Sequence, residues 1–441
     1  MAPMESYLPA HSLSAASGDR PSAATPVGRS RAARAEACAG LYVHVPFCAT
    51  RCSYCDFSSG SLSREAVERY LRALVIETDR RAPVAAGQVF TSVFFGGGTP
   101  SALSGRHFTQ VMELLRSRFE IHPRAEITLE ANPESVRPAL LAAWAAGGVN
   151  RLSMGAQSFD ATELTTLGRI HSADRPREAI ALARAHGFER LSLDLMFGYP
   201  GHSLDRWRDS IRSAIECGIE HLSAYCFIPE DGTPLGDAVA RGAAELPQAE
   251  TQAECYEALN RDTRAAGFYC YETSNFCRPG AEARHNLVYW LRRPYLGLGP
   301  SAHGLMHGER YGNHYALARW ATALERGDSC EAEREAECAE TVADEILMLG
   351  LRLSGGFCAH DYSPADWRAL LARYDRALAK AVIAGRLERT DAGYRIPAGL
   401  RFLADDVIAW VAARPDRAGV DSARPRTIIE PPCPNLHSSA I

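Results

Sequence analysis

No stretch of the 441-residue chain approaches the ~18 consecutive apolar residues that a membrane-spanning helix needs, so no span is expected. Positive charge is also scarce relative to negative. Forty-eight Lys and Arg stand against 53 Asp and Glu, giving a net charge of −5 and a pI near 6.3, whereas a nucleic-acid binder is normally basic. The first 37 residues are rich in Ala and Ser with four Arg, but they lack the apolar h-region of an export signal. They resemble an organelle transit peptide only weakly and read as a disordered extension or the product of an upstream start codon. No amphipathic membrane anchor stands out either.

Cysteine, by contrast, is plentiful: thirteen, at irregular spacing. With no export signal a reduced, cytoplasmic compartment is expected, with peripheral contact at a membrane left open. In that setting the cluster Cys48, Cys52 and Cys55 reads as a metal or cluster site rather than a disulfide framework. Others, such as Cys217, Cys226 and Cys255, read as inert thiols.

Past the extension, a β-rich apolar run, an abrupt polar or Gly/Pro loop and a helical stretch keep alternating. The runs are LYVHV (41–45), SVFF (92–95), EITLE (126–130), NRLSM (150–154), LSLDLMF (191–197) and HLSAYCF (221–227). Strand alternating with helix implies parallel pairing, and six units fit an α/β fold of the partial (β/α)6 barrel type. The unusual residues all follow strands: the cysteines, Gly96-Gly97-Gly98-Thr99-Pro100, Glu130-Ala131-Asn132-Pro133, Gly155-Ala156-Gln157-Ser158, Asp194 with Gly198-Tyr199-Pro200-Gly201, and Pro229-Glu230-Asp231-Gly232-Thr233-Pro234. In α/β barrels those ends share one mouth and build the active site.

Downstream, residues 268–315 form a Tyr/Gly/His-rich segment without clear periodicity. Val342, Ile346, Leu349 and Leu353 mark the buried face of a helix that Gly355 should cap, and Ser363-Pro364 reads as the start of another. A hairpin in RLERTDAGYRI and a last helix through Trp410 complete a small α+β, winged-helix-like module. Its mixed charge favours a structural or lid role over a DNA role. The expected division is a disordered extension (1–38), a core barrel (39–275), a barrel-closing segment (276–334), the C-terminal module (335–413) and a disordered tail (414–441).

Three thiolates alone cannot complete a tetrahedral structural zinc site, which would need His44 or another fourth ligand. They can hold three irons of a [4Fe–4S] cluster and leave the fourth iron open. At this point Cys-x3-Cys-x2-Cys after the first strand, with Tyr54 just before the last Cys, resembles the radical S-adenosylmethionine superfamily, and the GGGTP turn supports it. The segments YVHVPFC, FFGGGTPS, EANPES, RLSMGAQSF, LDLMFGYPG and NLVYWLRRPYLGLGPSAHG are similar, in order, to blocks of one group within it. That group contains oxygen-independent coproporphyrinogen III oxidases and heme chaperones, and the similarity runs from about residue 40 to 412.

The resemblance implies that Cys48, Cys52 and Cys55 hold the cluster, with S-adenosylmethionine on the open iron. Tyr42, Tyr54 and Ile228 would line the cofactor pocket; Gly97, Gly98 and Thr99 would contact the methionyl part; Glu130, Gln157, Arg169 and Asp194 would bind the ribose or carboxylate. In the oxidase branch a further Cys lies two residues after the third ligand; here that residue is Phe57, the chaperone-like form. His285-Asn286-Leu287-Val288-Tyr289-Trp290 matches the HNxxYW motif that the chaperone branch links to heme, with His285, Asn286, Tyr289 and Trp290 as the implied heme residues. The alternative is that this motif only packs the barrel's closing segment. His303, Cys270 and Cys277 are weaker ligand candidates. The implied partners are heme, acceptor hemoproteins and an electron donor for the cluster, with the chain a monomer or homodimer. The rival function is coproporphyrinogen III oxidation to protoporphyrinogen IX.

Overall fold

The computed structural model describes residues 38–416, so the expectations for 1–37 and 417–441 lie outside the described residues. Strands β1 (Cys38–Val45), β2 (Val89–Gly97), β3 (Glu120–Ala131), β4 (Arg151–Gln157), β5 (Arg190–Phe197) and β6 (His221–Cys226) lie side by side and parallel. Crossover helices α1 (Arg64–Arg81), α2 (Gly105–Arg118), α3 (Pro138–Ala146), α4 (Ala161–Thr166), α5 (Arg175–Ala185) and α6 (Leu204–Glu216) separate them. All six expected strands are therefore present.

Their side chains alternate as a pleated strand requires. Leu41, Val43 and Val45, and likewise Leu191, Leu193 and Leu195, join one apolar core with Val67, Tyr70 and Leu74 of α1 and Ile211 of α6. The intervening residues are polar, and the register aligns them in rows. Glu130 stands beside Ser153, Ser153 beside Ser192, and Asp194 beside both Gly155 and Ser223. One face of the sheet is thus greasy and the other carries buried carboxylates and hydroxyls.

The sheet is larger than six strands. After α7 (Pro234–Ala240) and α8 (Ala249–Ala265), β7 (Tyr269–Glu272) and β8 (Asn275–Cys277) add antiparallel to β6. Following α9 (Arg284–Trp290), β9 (Tyr295–Leu298) pairs parallel with β1 on the far side. Then β10 (His303–Met306), β11 (Glu309–Asn313) and, after α10 (Leu317–Arg326), β12 (Glu331–Ala336) extend that edge antiparallel. Twelve strands make an open sheet. The aperiodic Tyr/Gly/His-rich segment therefore contributes five strands, in pieces of three to five residues that are too short to print a period.

A second apolar cluster joins α11 (Ala339–Gly350), α12 (Pro364–Ile383) and α13 (Ala404–Ala412) through Ile346, Leu370, Tyr374, Leu378 and Val407, and it takes in Trp290 of α9. A three-stranded sheet of Phe357–Cys358, Gly393–Arg395 and Glu388–Arg389 completes the winged-helix-like part. Ser363 caps α12 by accepting from the Asp366 amide at 3.1 Å. Helix α11 ends at Gly350, five residues before the expected Gly355 cap. Leu353 has already left the helix to bridge Glu272, and Gly356, at φ +69°, turns the chain against the backbone of Tyr394.

Candidate cofactor site

The three thiols lie on one loop just after β1, and its neighbours hold it in place. The short strand Phe47–Cys48 pairs parallel with Gly60–Ser61. On the opposite side, the Gly98 amide donates to the Val45 carbonyl at 2.9 Å and the Thr99 amide to Phe47 at 2.7 Å. The Cys48 Sγ then lies 3.3 Å from Thr99 Oγ1. Ser53 ties the loop's far end, donating from its amide to Leu167 (3.2 Å) and from its hydroxyl to Thr166 (2.8 Å). The glycine-rich turn thereby explains itself. A Cβ on Gly98 would sit 2.8 Å from backbone atoms of Phe47, and one on Gly97 (φ +104°) 2.5 Å from the His44 imidazole. Both glycines let the turn lie directly on the strand that presents Cys48.

Burial raises the Cys48 thiol, and it pushes Cys55 up to about 12, with the Cys52 and Cys48 charges adding to the effect on Cys55. The Arg169 guanidinium reaches Cys52 Sγ at 3.4 Å through Nη1, while Nη2 donates to Asn132 Oδ1 (2.9 Å) and the Gly155 carbonyl (2.8 Å). Arg169 thus joins the cysteine loop to the ends of β3 and β4. Tyr54 is buried against Cys55, Leu167, Met196 and Tyr199, an apolar cover over the loop, and Phe57 packs on it.

At the ends of β3 and β4, which Arg169 joins to the loop, stand polar atoms without partners. Glu130 is buried with Oε2 unbonded, and both amide atoms of the fully buried Gln157 lack partners. Gln157 also adopts the left-handed φ of +65°, a cost that a residue without Gly's freedom bears only where the surroundings impose it. Burial, and then the neighbouring Asp194 charge, push the Glu130 carboxyl well above its ordinary value. Asp194 is raised by burial as well, and the Ser153 hydroxyl binds it at 3.0 Å. Orphaned buried polar atoms are rare in folded proteins, and a bound polar molecule would satisfy these. Tyr42 is buried and stacks on Phe94, whereas Ile228, just beyond β6, is 46% exposed.

A zinc knuckle does not fit these atoms. Both His44 nitrogens are engaged, Nδ1 with Tyr42 at 3.1 Å and Nε2 with the Ser58 carbonyl at 3.0 Å. Among the described residues the trio Cys358, His360 and Asp361 brings three ligand atoms within 4.8 Å, and the three sulfurs of the loop do not. A single zinc ion with Zn–S bonds of ~2.3 Å would gather them more closely, whereas a cluster separates its ligands. The thiol loop and the orphaned polar groups together fit a cluster with a polar molecule beside it. Sequence reasoning missed the positioning residues. Asn132 was visible inside EANPES, but nothing signalled the Ser53 tie or Ser153.

The HNxxYW residues stand elsewhere. His285 lies against Gly40 and Ser92, near the start of β1 and β2, five residues or about 16 Å of extended strand before Val45. Its Nδ1 meets Ser92 Oγ at 2.8 Å and its Nε2 meets Tyr289 Oη at 2.9 Å, while the ring stacks on Phe94. The His285 amide donates to Glu126 at 3.2 Å, Asn286 reaches Tyr271 at 3.4 Å, and Trp290 enters the C-terminal core. In this arrangement neither ring nitrogen of His285 is open to an iron. Instead the motif joins the barrel base to the C-terminal helices. His303 is half-buried near Glu333, Cys270 donates to the Glu272 carbonyl, and Cys277 is fully buried.

Burial holds the His285 imidazole down to about 3. The unfolded chain therefore takes up this proton first, and the stability from neutral His285, present above ~6.5, is lost as pH falls toward its folded value. His285→Ala should cost about 3 kcal/mol at pH 7. The gap from wild type should narrow on acidification toward pH 4, as read from urea midpoints. A constant gap would mean that the ring is not held neutral.

Comparison with known proteins now bears on this geometry. Residues 42–214 match the Radical SAM superfamily. The heme chaperone HemW of Mycobacterium tuberculosis is 37% identical over 373 residues, covering 84% of this chain and 93% of that protein. The chain belongs to the HemW family. HemW of Bacillus subtilis is 34% identical over 331 residues (75% of this chain, 87% of that one). A bovine protein named radical S-adenosyl methionine domain-containing protein 1, mitochondrial, is 40% identical over 329 residues (72% and 74%). Among solved structures, coproporphyrinogen III oxidase (HemN) of Escherichia coli aligns with a TM-score of 0.73 over 85% of this chain and 90% of that one, at 23% identity, a likeness of fold. Membership of the HemW family, within the radical SAM superfamily, implies a [4Fe–4S] cluster and S-adenosylmethionine as the cofactors.

Proposed function

We propose that this protein is a heme chaperone that carries a [4Fe–4S] cluster on Cys48, Cys52 and Cys55, binds S-adenosylmethionine beside it, and passes heme to acceptor hemoproteins. The observation that carries the reading is the 37% identity to a HemW protein over 93% of that protein's length. Within the site, the orphaned Glu130 and Gln157 supply acceptor and donor atoms for ribose or amino-acid groups, and Asp194 a second carboxylate. Gly97, Gly98 and Thr99 offer the backbone edge nearest the thiols, with Tyr42 and Tyr54 as walls and Ile228 at the rim. When bound, the cluster and the sulfonium supply one-electron chemistry. The residues around them exclude water, hold the loop and fix Arg169 against Cys52.

The rival reading, coproporphyrinogen III oxidation, draws on the HemN fold. Phe57 weighs against it, because an apolar ring packed on the cysteine loop stands where the resemblance places that branch's additional thiol. Anaerobically reconstituted protein should bind hemin saturably with a Soret shift, and should leave coproporphyrinogen III unconsumed in the presence of S-adenosylmethionine and a reductant. Turnover of that porphyrinogen would overturn the assignment.

A further inference from the structure

The stretch Cys358-Ala359-His360-Asp361 sets a thiol, an imidazole and a carboxylate within four residues, far along the chain from the thiol loop. Strand Phe357–Cys358 leads into it, with Cys358 paired to Gly393, and a single helical turn, Ala359–Asp361, follows. The Ala359 amide donates to the Ala392 carbonyl at 3.0 Å and holds that turn on the hairpin. Helix α12 then starts at Pro364 with Ser363 as its cap, so regular structure fixes both ends of the stretch.

One ligand atom from each of Cys358, His360 and Asp361 falls within 4.8 Å of the other two. Asp361 closes a capping box, its Oδ2 accepting from the Cys358 amide at 3.1 Å. The box accounts for the carboxylate folding back over the cysteine, and it leaves Oδ1 for another partner. That oxygen stands 3.5 Å from His360 Nε2. A tetrahedral ion with bonds of ~2.0–2.1 Å holds its nitrogen and oxygen ligands ~3.3 Å apart, and the sulfur joins the set with a shift of about 1 Å. An amide on one carboxylate oxygen is also the outer support that ligating carboxylates commonly have.

A second observation points the same way. Tyr362 Oη is buried in the core of the C-terminal module and carries no hydrogen bond. Burial and then the Asp361 charge raise its phenol, with Cys358 adding to the effect, so the hydroxyl is within electrostatic reach of two of the three ligands. A water on an ion at this place would give the orphaned hydroxyl a partner. Arg293 and Arg292 act on the phenol in the opposite sense, and Arg292 is already neutralised by Glu337 and Glu345.

We infer that Cys358, His360 and Asp361 form a zinc site that clips the small sheet to the start of α12, with water in the fourth position. Thiolate, imidazole and carboxylate are the ligand types zinc takes, whereas magnesium and calcium select oxygen alone. The site belongs to a different apolar cluster from the cysteine loop and does not depend on the heme reading.

Full-length, cluster-reconstituted protein is loaded with zinc sulfate, dialysed free of excess metal, and assayed for zinc and iron by mass spectrometry. Wild type should keep about one zinc per chain beside its cluster iron, and X-ray absorption at the zinc edge should show a sulfur at ~2.3 Å. Cys358→Ala and His360→Ala should each weaken zinc affinity at least about tenfold, with iron, sulfide and far-ultraviolet circular dichroism unchanged. Asp361→Asn should lose zinc as well; it keeps an acceptor for the Cys358 amide, so that loss reports ligation rather than a broken turn. Cys338→Ser, at an exposed thiol outside the trio, should retain the metal. No zinc on wild type, zinc undiminished in the Cys358 and His360 variants, or a zinc edge without sulfur would each overturn the site.

Discussion

Cys52→Ser should abolish the cluster: after anaerobic reconstitution, iron and sulfide fall to background and the brown chromophore is absent. The size of this effect follows from the loop's electrostatics. Burial raises the Cys48 and Cys55 thiols, so loading must displace the protons those two sulfurs hold. Losing one of three thiolates removes a ligand that serine does not replace, because its hydroxyl stays protonated and hard. It also leaves Arg169 Nη1, 3.4 Å from the Cys52 sulfur, facing no soft anion. Cys338→Ser, at an exposed thiol on a distant helix cap, should change nothing. Unchanged iron and sulfide in Cys52→Ser would remove the basis for the cluster assignment.

Gly98→Ala is expected to be nearly as damaging although it touches no sulfur. A Cβ at Gly98 would meet Phe47 N and O at 2.8 Å and Val45 O at 2.9 Å, all backbone atoms that no rotamer change can move. Gly98 does not have positive φ, so alanine's own conformational preference is not the obstacle; the contact is. Relief would require the turn to lift off Phe47, breaking the amide bonds at 2.9 and 2.7 Å and drawing Thr99 away from Cys48. Overpacking usually costs ~1–3 kcal/mol, and against fixed backbone the upper end or more is expected. The urea midpoint should drop and reconstituted iron should fall below half of wild type. Gly60→Ala, whose added carbon would come no closer than 3.8 Å to Pro46 O, is the neutral control. A Gly98→Ala protein with wild-type midpoint and iron would show that the turn does not support the loop.

The parallel strands were legible because β-rich apolar runs alternate with helical stretches along the chain, and within β5 the pleat sets Leu191, Leu193 and Leu195 on one face and Ser192 and Asp194 on the other. The strand-end loops could be read as one mouth for the same reason. What stayed hidden depends on distance along the chain. The motif at 285–290 announces an imidazole, but only the fold reveals that Ser92, Phe94 and Tyr289 surround it. The loops pointed to the carboxyl ends of the strands, and only the fold places the 285–290 motif at the amino ends of β1 and β2.

The pairing of β1 with β9 has a consequence for how the protein is made. Gly40 finds its partner at Tyr295, and Ser58 and Asp56 are bonded to Tyr315, so the thiol loop lacks one flank until more than 250 further residues exist. Contacts of such sequence separation form late and slowly. A ribosome-bound chain ending before β9 would present its cysteines on a strand with one bare edge. Iron–sulfur delivery is therefore best timed after translation is nearly complete, and nascent chains stalled short of that point should be prone to aggregation and resistant to metallation.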